Sequence, residues 1–373
     1  MFDRVLPNRC FLLVALALVG CGSSDPSAGS GGASGSSAGG TTASGGSSAA
    51  GSSGAWAGGT GGGGSSGTAG SESGGSAGAP GGGSGGDGGQ AGAAGSAGSA
   101  GSAGAGGATN PCAGGAAGPT NTSFQASGPI SAVSGKTYTG LKIQNPNGPC
   151  ITLDGVSNVM ISDSEIGPCG GGAAIVVNGS SHVTIERAHV HHSARGVLAQ
   201  SSTDVKTLKS VFDDIDGQAP EGTAIEYDYM AGGGTISENC ISGTFGSDVI
   251  SGFESSNLKI VGNEVHANIT EPSAAGFTIG DSVNGSPGHD NYVAKNVVHQ
   301  TGGVPPGVFG SSGNTLLELN CLPTGIQAYA YNGPFVGVTV QNNIIGPGSF
   351  VPDPSVVQGW NTNTFTNDGS GCP

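Results

Sequence analysis

A short phrase that recurs along the chain constrains its fold more than any other feature of the sequence. Between Asn257 and Asn268 it reads NLKIVGNEVHAN, with an apolar anchor at Ile260, a polar residue three positions later and another apolar residue two positions after that. The phrase has nine copies, with anchors at Ile161, Ile185, Thr207, Ile236, Ile260, Val293, Leu317, Val340 and Trp360. The anchors are 20 to 33 residues apart, and most steps lie between 22 and 24. This period indicates a solenoid in which two coils carry loop insertions.

The residues within each repeat favour strands over helices. Apolar residues alternate with a period of two in short runs, and Gly, Asn, Ser and Asp separate the runs, which is typical of strands and turns. A second short apolar pair precedes most anchors: Ile175 and Val177, Val197 and Ala199, Ile225 and Tyr227, Phe277 and Ile279, Ile326 and Ala328. Each coil therefore offers about three short strands, and coils stacked about 4.8 Å apart give parallel sheets around one continuous core.

The polar position of the phrase is an asparagine in six repeats, at Asn239, Asn263, Asn296, Asn320, Asn343 and Asn363. Asparagine tolerates the left-handed backbone of a sharp turn, and stacked asparagine side chains can bond to one another along a buried column. With this pattern the chain resembles the right-handed parallel β-helix proteins of the pectate-lyase-like superfamily, whose coils carry such an asparagine ladder. The resemblance covers about Lys136 to Phe365. We therefore expect an all-β protein, a single-stranded right-handed parallel β-helix of about nine coils.

The first twenty residues have the features of an export signal. Arg4 and Arg9 precede an apolar run from Phe11 to Val19, which is too short to span a membrane and fits a signal peptide over residues 1–20. The run ends in Leu-Val-Gly followed by Cys21, and this resembles the lipobox of bacterial lipoproteins. The resemblance implies that Cys21 becomes the lipidated first residue, with the lipid as the only membrane contact. The alternative is an ordinary secretion signal with an incidental cysteine. Gly22 in place of Asp implies, in that signal class, an exported protein held at the outer membrane or cell surface.

The next segment differs in composition from the repeats. Ser, Ala and Gly make up nearly all of residues 22–107, so this segment cannot bury enough apolar surface to offset the entropy of ordering it. We expect a disordered tether over residues 21–111 and one β-helix domain over residues 112–373. From Cys112 onward the chain has 8 Lys and Arg against 21 Asp and Glu, a net charge of −13. Nucleic acid is therefore excluded as a partner, because phosphate binding depends on basic patches.

Six cysteines lie in the predicted domain, at Cys112, Cys150, Cys169, Cys240, Cys321 and Cys372. An even number in an exported domain predicts disulfides. The repeat register places Cys240 and Cys321 in one column three coils apart, about 14 Å, which is too far for a disulfide. Cys150 and Cys169 are nearly one coil apart and can pair.

In catalytic members of the superfamily the site lies along the first strand of successive coils and in the loops beside it. The outward positions of that strand are Asn178, Leu198, Gln200, Glu226, Asp228 and Thr278, with Asp281 just beyond. The loops before Glu226 supply Asp213, Asp214, Asp216 and Glu221, and also His189, His191, His192 and Arg195. The resemblance therefore implies a substrate face built around Glu226.

Two enzyme chemistries suit these residues. A polyuronate lyase would use calcium held by Asp214, Asp216, Glu226 and Asp228, because this ion prefers several oxygen ligands, with Arg195 or a histidine as base. A glycosidase needs two carboxylates about 5–10 Å apart, and Glu226 with Asp214, or Asp228 with Asp281, are the pairs we predict. Gln200 and Asp281 would contact substrate, and Tyr329 would stack on sugar rings. The sequence lacks the NTD, HG and RIK set of polygalacturonases, the WiDH and RxPxxR patterns of pectate lyases and the DPHD motif of mannuronan epimerases. A solvated acidic flank without a site is the alternative.

The histidines follow the same register. His191, His266 and His299 each fall six residues after an anchor, in the column that also holds Asp213. The simpler interpretation is a polar outward position on a third strand, and a transition-metal site at His266 and His299 is the other.

The sequence leaves two functions open. The first is a cell-surface lipoprotein whose β-helix binds or processes an extracellular polysaccharide. The second is a non-catalytic adhesin or structural module of the envelope. A receptor for protein would need a contiguous exposed apolar patch, and none can be located in the sequence.

Overall fold

The computed structural model describes residues 117–217 and 221–372. The predicted signal peptide, the lipidation site at Cys21 and the whole of the predicted tether lie outside the described residues. Within the described ranges, no helix is long and apolar enough to cross a membrane.

The described part of the chain consists of short strands and two 3-10 helices, at Pro354–Val356 and Trp360–Thr362. In chain order the strands are β1 (Gln125–Ser127), β2 (Ile130–Ser131), β3 (Thr137–Thr139), β4 (Leu141–Asn145), β5 (Ile151–Asp154), β6 (Ser157–Ser162), β7 (Glu165–Cys169), β8 (Ile175–Asn178), β9 (Ser181–Glu186), β10 (His189–Ser193), β11 (Arg195–Gln200), β12 (Thr203–Leu208), β13 (Val211–Ile215), β14 (Thr223–Asp228), β15 (Gly234–Ser237), β16 (Cys240–Phe245), β17 (Ile250–Phe253), β18 (Leu258–Val261), β19 (Glu264–Ile269), β20 (Phe277–Ile279), β21 (Tyr292–Ala294), β22 (Val297–Thr301), β23 (Gly307–Val308), β24 (Thr315–Glu318), β25 (Cys321–Leu322), β26 (Gln327–Ala328), β27 (Val338–Gln341), β28 (Ile344–Ile345) and β29 (Thr364–Phe365).

Three parallel sheets run along the solenoid, and each coil adds one strand to each sheet. Sheet A contains β1, β4, β7, β10, β13, β16, β19, β22, β25, β28 and β29; sheet B contains β2 and every third strand up to β26; sheet C contains β3 and every third strand up to β27. The predicted all-β solenoid is therefore confirmed, with about ten turns rather than nine. The extra coil was missed because its anchor, Tyr138, pairs with Ile161 while Leu141 fills the polar position of the phrase.

The predicted anchors form one column on sheet C. Consecutive pairs from Ile161 to Val340 are direct register partners, and all eight side chains are buried. Tyr227 also points inward, and its hydroxyl and that of Thr207 bond at 2.9 Å, so both core polar groups are satisfied. Trp360 differs: it lies in a 3-10 helix and only partly packs against the core. Strand alternation does not apply to it because sheet C ends at β27.

The asparagine ladder is confirmed. Each Nδ2 atom donates to the Oδ1 atom of the next asparagine at 2.9 Å, from Asn239 through Asn263, Asn296, Asn320 and Asn343 to Asn363. The backbone N–H groups of the same residues donate to the same oxygens. The left-handed backbone was assigned to the wrong residue. It lies one position earlier, as at Glu238 and Lys295, so the asparagine is selected by its side-chain bonds and not by its backbone angle.

The disulfides agree with the register. Cys150 pairs with Cys169, and Cys321 pairs with Cys372, each with 5.5 Å between the Cα atoms. Cys240 is also in a disulfide, and because Cys321 pairs with Cys372, the predicted absence of a Cys240 to Cys321 bond is confirmed.

Candidate functional site

The outer face of sheet B holds the residues that the sequence placed at the substrate face. One outward column contains Leu198, Glu226, Ser251, Thr278, Gly307 and Gln327 in direct register. A second column, two residues along, contains Gln200, Asp228 and Phe253. The coil of Ser251 and Phe253 was not predicted from the sequence, because Gly252 occupies the inward position where the repeat pattern requires an apolar residue. We call this face, from Leu198 to Gln327, the sheet B groove.

The floor of this groove is recessed. Thr278 is only 5% exposed, whereas Thr184 and Thr235, at outward positions of sheet C, are half-buried. Asp228 is 6% exposed although it points away from the core. The connections on both sides of sheet B explain the difference. Two residues join β11 to β12, whereas residues 270–276 precede β20 and residues 280–291 follow it.

Two carboxylates hold these longer connections in place. Asp248 Oδ1 accepts a hydrogen bond from the Ala275 N–H at 2.8 Å. Glu254 Oε1 accepts from the Ser282 hydroxyl and from the backbone N–H groups of Val283 and Asn284, at 2.8, 2.9 and 3.1 Å. The rims of the groove are therefore fixed by hydrogen bonds to the neighbouring coil.

Arg195 and Glu226 form an ion pair on the floor. Arg195 Nε lies 2.9 Å from Glu226 Oε2, and the two side chains are 16% and 19% exposed. Glu221 approaches the same guanidinium, with Oε1 3.9 Å from Nη1. A guanidinium stays protonated in proteins, so this geometry gives Arg195 an electrostatic role and does not support its predicted role as a base.

Glu226 and Asp228 are two residues apart on β14 and point to the same side. Gln200 Nε2 donates to Asp228 Oδ2 at 3.1 Å from the neighbouring coil. The spacing along the strand puts the two Cα atoms about 6.7 Å apart, so both carboxyl groups project from neighbouring outward positions of one strand. This pair was not among those predicted from the sequence.

The predicted calcium ligands are not brought together. Asp214 lies on β13 in sheet A and Asp216 follows that strand, and both are exposed, whereas Glu226 and Asp228 lie on sheet B. Within residues 117–217 and 221–372, no group of three or more His, Cys, Asp and Glu side chains is arranged to hold a metal ion. Pairing Glu226 with Asp214 fails for the same reason, because consecutive strands of one coil face different sides of the solenoid.

Asp281 and Tyr329 lie near each other toward the C-terminal end of the groove. Asp281 follows β20, two coils from Asp228, and its Oδ1 accepts from the Ser282 N–H at 2.8 Å. Burial, with smaller effects from Tyr331 and Asp281, raises the pKa of Tyr329. Its ring meets Phe309 and Phe350 edge-on, with centroids 5.4 and 5.2 Å away. Two aromatic neighbours therefore already use part of the ring that was predicted to stack on sugars.

The histidines lie on sheet A, away from the groove. The predicted alignments of His191 with Asp213 and of His266 with His299 are confirmed. His189 Nε2 is 2.9 Å from Asp213 Oδ1. The His266 and His299 rings stack with centroids 5.1 Å apart, but they are not part of a larger ligand set among the described residues.

His189, His191 and His192 form a histidine cluster on β10, and a second contact within it restricts its protonation. The Nδ1 atoms of His191 and His192 are 2.7 Å apart, so one nitrogen must donate and the other must accept. Burial, followed by the charges of His189 and His192, lowers the pKa of His191. Burial also opposes the charged form of His189, but the bond to Asp213 and the negative charges of Asp213, Glu165 and Asp214 together outweigh it and raise the pKa of that histidine.

Comparison with known proteins supports the fold. The family model described as right handed beta helix region matches residues 134–345. Neither the curated proteins nor the solved structures gave a match. The family model covers more than half of the 373 residues, and the chain therefore belongs to the right-handed β-helix family.

Proposed function

We propose that the sheet B groove binds an extracellular polysaccharide, on a protein exported and lipid-anchored through Cys21. The observation that carries this proposal is the recessed polar floor: Glu226, Asp228, Ser251, Thr278 and Gln327 all point outward, and the last four are at most 9% exposed. Polar groups placed in a concave site fix the orientation of a ligand.

The shape of the groove favours a linear polymer. Its column from Leu198 to Gln327 spans six coils, which is about 24 Å at the strand spacing. Thr278 contributes a hydroxyl whose Oγ1 atom is buried and has no hydrogen-bond partner among the described residues. A sugar hydroxyl can both donate to and accept from such a group.

Hydrolysis is the chemistry that the carboxylates support best. Glu226 and Asp228 share one face, whereas the calcium set of a lyase is not assembled and Arg195 is ion-paired. In an inverting glycoside hydrolase one carboxyl protonates the leaving oxygen and the other activates water.

The test is a panel of neutral, acidic and amino polysaccharides, with calcium and with chelator, incubated with the purified protein. Binding is followed by affinity electrophoresis and chain length by chromatography. We expect retarded migration on at least one polymer, weakened by Thr278→Val and unchanged by the matched Thr235→Val on sheet C. If both variants weaken the retardation equally, or if no polymer is retarded, the result would favour the alternative of a non-catalytic structural module.

A further inference from the structure

The charges of the sheet B groove select among polysaccharides. On the nine strands of sheet B, which all lie in the described ranges, Arg195 is the single Lys or Arg, against the carboxylates of Asp154, Glu226 and Asp228. The adjoining connections within the described ranges add one lysine, Lys136, and seven further carboxylates, at Asp216, Glu221, Asp248, Glu254, Glu271, Asp281 and Asp290. Clefts lined by one sign of charge concentrate ligands of the opposite sign.

Arg195 does not neutralise the negative charge that a ligand in the groove would meet. Its guanidinium lies against Glu226 at 2.9 Å and within 3.9 Å of Glu221. A uronate polymer entering the groove would meet mainly carboxylates, and like charges brought together in a partly buried site repel. The groove therefore disfavours the acidic polymers that a lyase would take.

Phe253 provides a place for a sugar ring within this acidic face. It pairs with Asp228 in the neighbouring coil, so the carboxylate and the aromatic ring start from Cα atoms about 4.8 Å apart. Phe253 is half-buried, and Tyr229 meets its ring edge-on with centroids 5.6 Å apart. An aromatic face beside a carboxylate suits a ring that carries a positive charge, because both groups attract cations.

The hydroxyl of Thr278 is the second, independent sign of a ligand at this place. Thr278 pairs with Ser251, which lies two residues before Phe253 on β17. Thr278 and Asp228 belong to the two coils on either side of the coil that holds Phe253. Phe277 and Ile279 beside it are buried in the core, so the Thr278 side chain points into the groove. Its Oγ1 atom is buried without a hydrogen-bond partner among the described residues, and a buried hydroxyl left unpaired is unfavourable unless a ligand meets it.

From these contacts we infer that the ligand is a polysaccharide with free amino groups, with a sugar ring stacked on Phe253, its ammonium group on Asp228 and a sugar hydroxyl on Thr278. This inference rests on the proposed function of the groove and adds the charge of its ligand.

Calorimetric titration of the purified protein tests the inference with three soluble oligomers of equal length. One is a β-1,4-linked glucosamine oligomer, the second is its fully N-acetylated form, which lacks the charges, and the third is a uronate oligomer with and without calcium. We expect the amino oligomer to bind at least about tenfold more tightly than the N-acetylated one, a difference of about 1.4 kcal/mol, and to weaken as salt increases.

Variants assign the preference to the groove. Asp228→Asn should reduce the preference for the amino oligomer about tenfold, and Phe253→Leu should weaken both amino-sugar oligomers. The matched control Glu238→Gln removes a carboxylate from an exposed turn between sheets C and A and should change neither. Equal binding of the two amino-sugar oligomers, or tighter binding of the uronate oligomer, overturns the inference while leaving polysaccharide binding intact. Absence of binding by all three would overturn the proposed function with it.

Discussion

Arg195 and Glu226 come from neighbouring coils of sheet B and form an ion pair with 2.9 Å between Nε and Oε2. Both side chains are more than four-fifths buried, although both lie on the outside of the solenoid. The ion pair of Lys206 and Asp204 on sheet C is more open, with side chains 40% and 34% exposed. The pair on sheet B is therefore less accessible to water than this pair on sheet C.

Removing the cation of this pair should destabilise the fold. Arg195→Met leaves Glu226 partly buried beside an apolar side chain, and we expect a loss of about 1–3 kcal/mol, below the full cost of a buried pair because water still reaches the site. The matched variant Lys206→Met on sheet C should cost less than about 1 kcal/mol. Urea unfolding of both variants measures the difference in the free energy of unfolding. Equal losses would show that the groove is as accessible to water as the rest of the surface.

The asparagine ladder should contribute strongly to stability. Asn296 is 1% exposed, and its side chain donates to Asn320 and accepts from Asn263. Asn296→Ala leaves buried partners without bonds, so we expect a loss of about 2–4 kcal/mol. Asn268→Ala, at an exposed position of the preceding coil, is the control and should change the unfolding free energy by less than about 0.5 kcal/mol. A loss that small for Asn296→Ala would contradict the ladder as a source of stability.

The histidine cluster should make stability depend on pH with two opposing contributions. The lowered pKa of His191 means that the folded state binds this proton less readily than the unfolded one, so its contribution falls as the pH drops below about 6.5. The raised pKa of His189 acts the other way: its contribution is complete below about pH 6.5 and is lost as the pH rises through the folded value.

Thermal midpoints between pH 4.5 and 8 separate the two histidines. Relative to the unmodified protein, His191→Gln should lose less stability on the acid side, and His189→Gln should lose less on the alkaline side. His299→Gln, elsewhere on sheet A, is the control. Identical pH profiles for the His191 and His189 variants would refute the assignment.

The anchor at Cys21 gives a prediction that does not depend on the groove. If the lipobox resemblance holds, Cys21→Ser removes the thiol that carries the lipid, and the protein should leave the membrane fraction and become soluble after export. Metabolic labelling with a radioactive fatty acid should mark the unmodified chain alone. Label on the serine variant, or continued sedimentation with membranes, would point to a different means of attachment.

The repeat could be predicted because its cause is local. Each coil shows a period of two, and six of the nine repeats have an asparagine three residues after the anchor. Anchors such as Ile260 and Val293 and the ladder residues that follow them were therefore assigned correctly. The coil of Ile250 was missed because Gly252 replaces the second apolar residue there: the side chain of Leu258 fills the space, and a Cβ atom on Gly252 would lie 2.7 Å from it. Trp360 was misassigned because the pattern continues after sheet C has ended.

The site was harder to predict because its geometry depends on which sheet a residue joins. Asp214 and Glu226 are close in sequence and similar in chemistry, but one lies on sheet A and the other on sheet B. The recess around Thr278 arises from loop lengths on both sides of β20, which the sequence showed only as a repeat spacing of 33 residues. The partnership of Glu226 with Asp228 follows from strand alternation alone and could have been found.

Hydrogen–deuterium exchange with and without a bound oligosaccharide tests the central claim most directly, because it locates the ligand on the solenoid. The account predicts slower exchange in the connections that flank sheet B, residues 270–276 and 280–291, with the exposed turns between sheets C and A unchanged. Protection confined to the histidine face of sheet A, or no protection in the two connections at a saturating concentration of a ligand that binds, would contradict the assignment of the groove as the binding site.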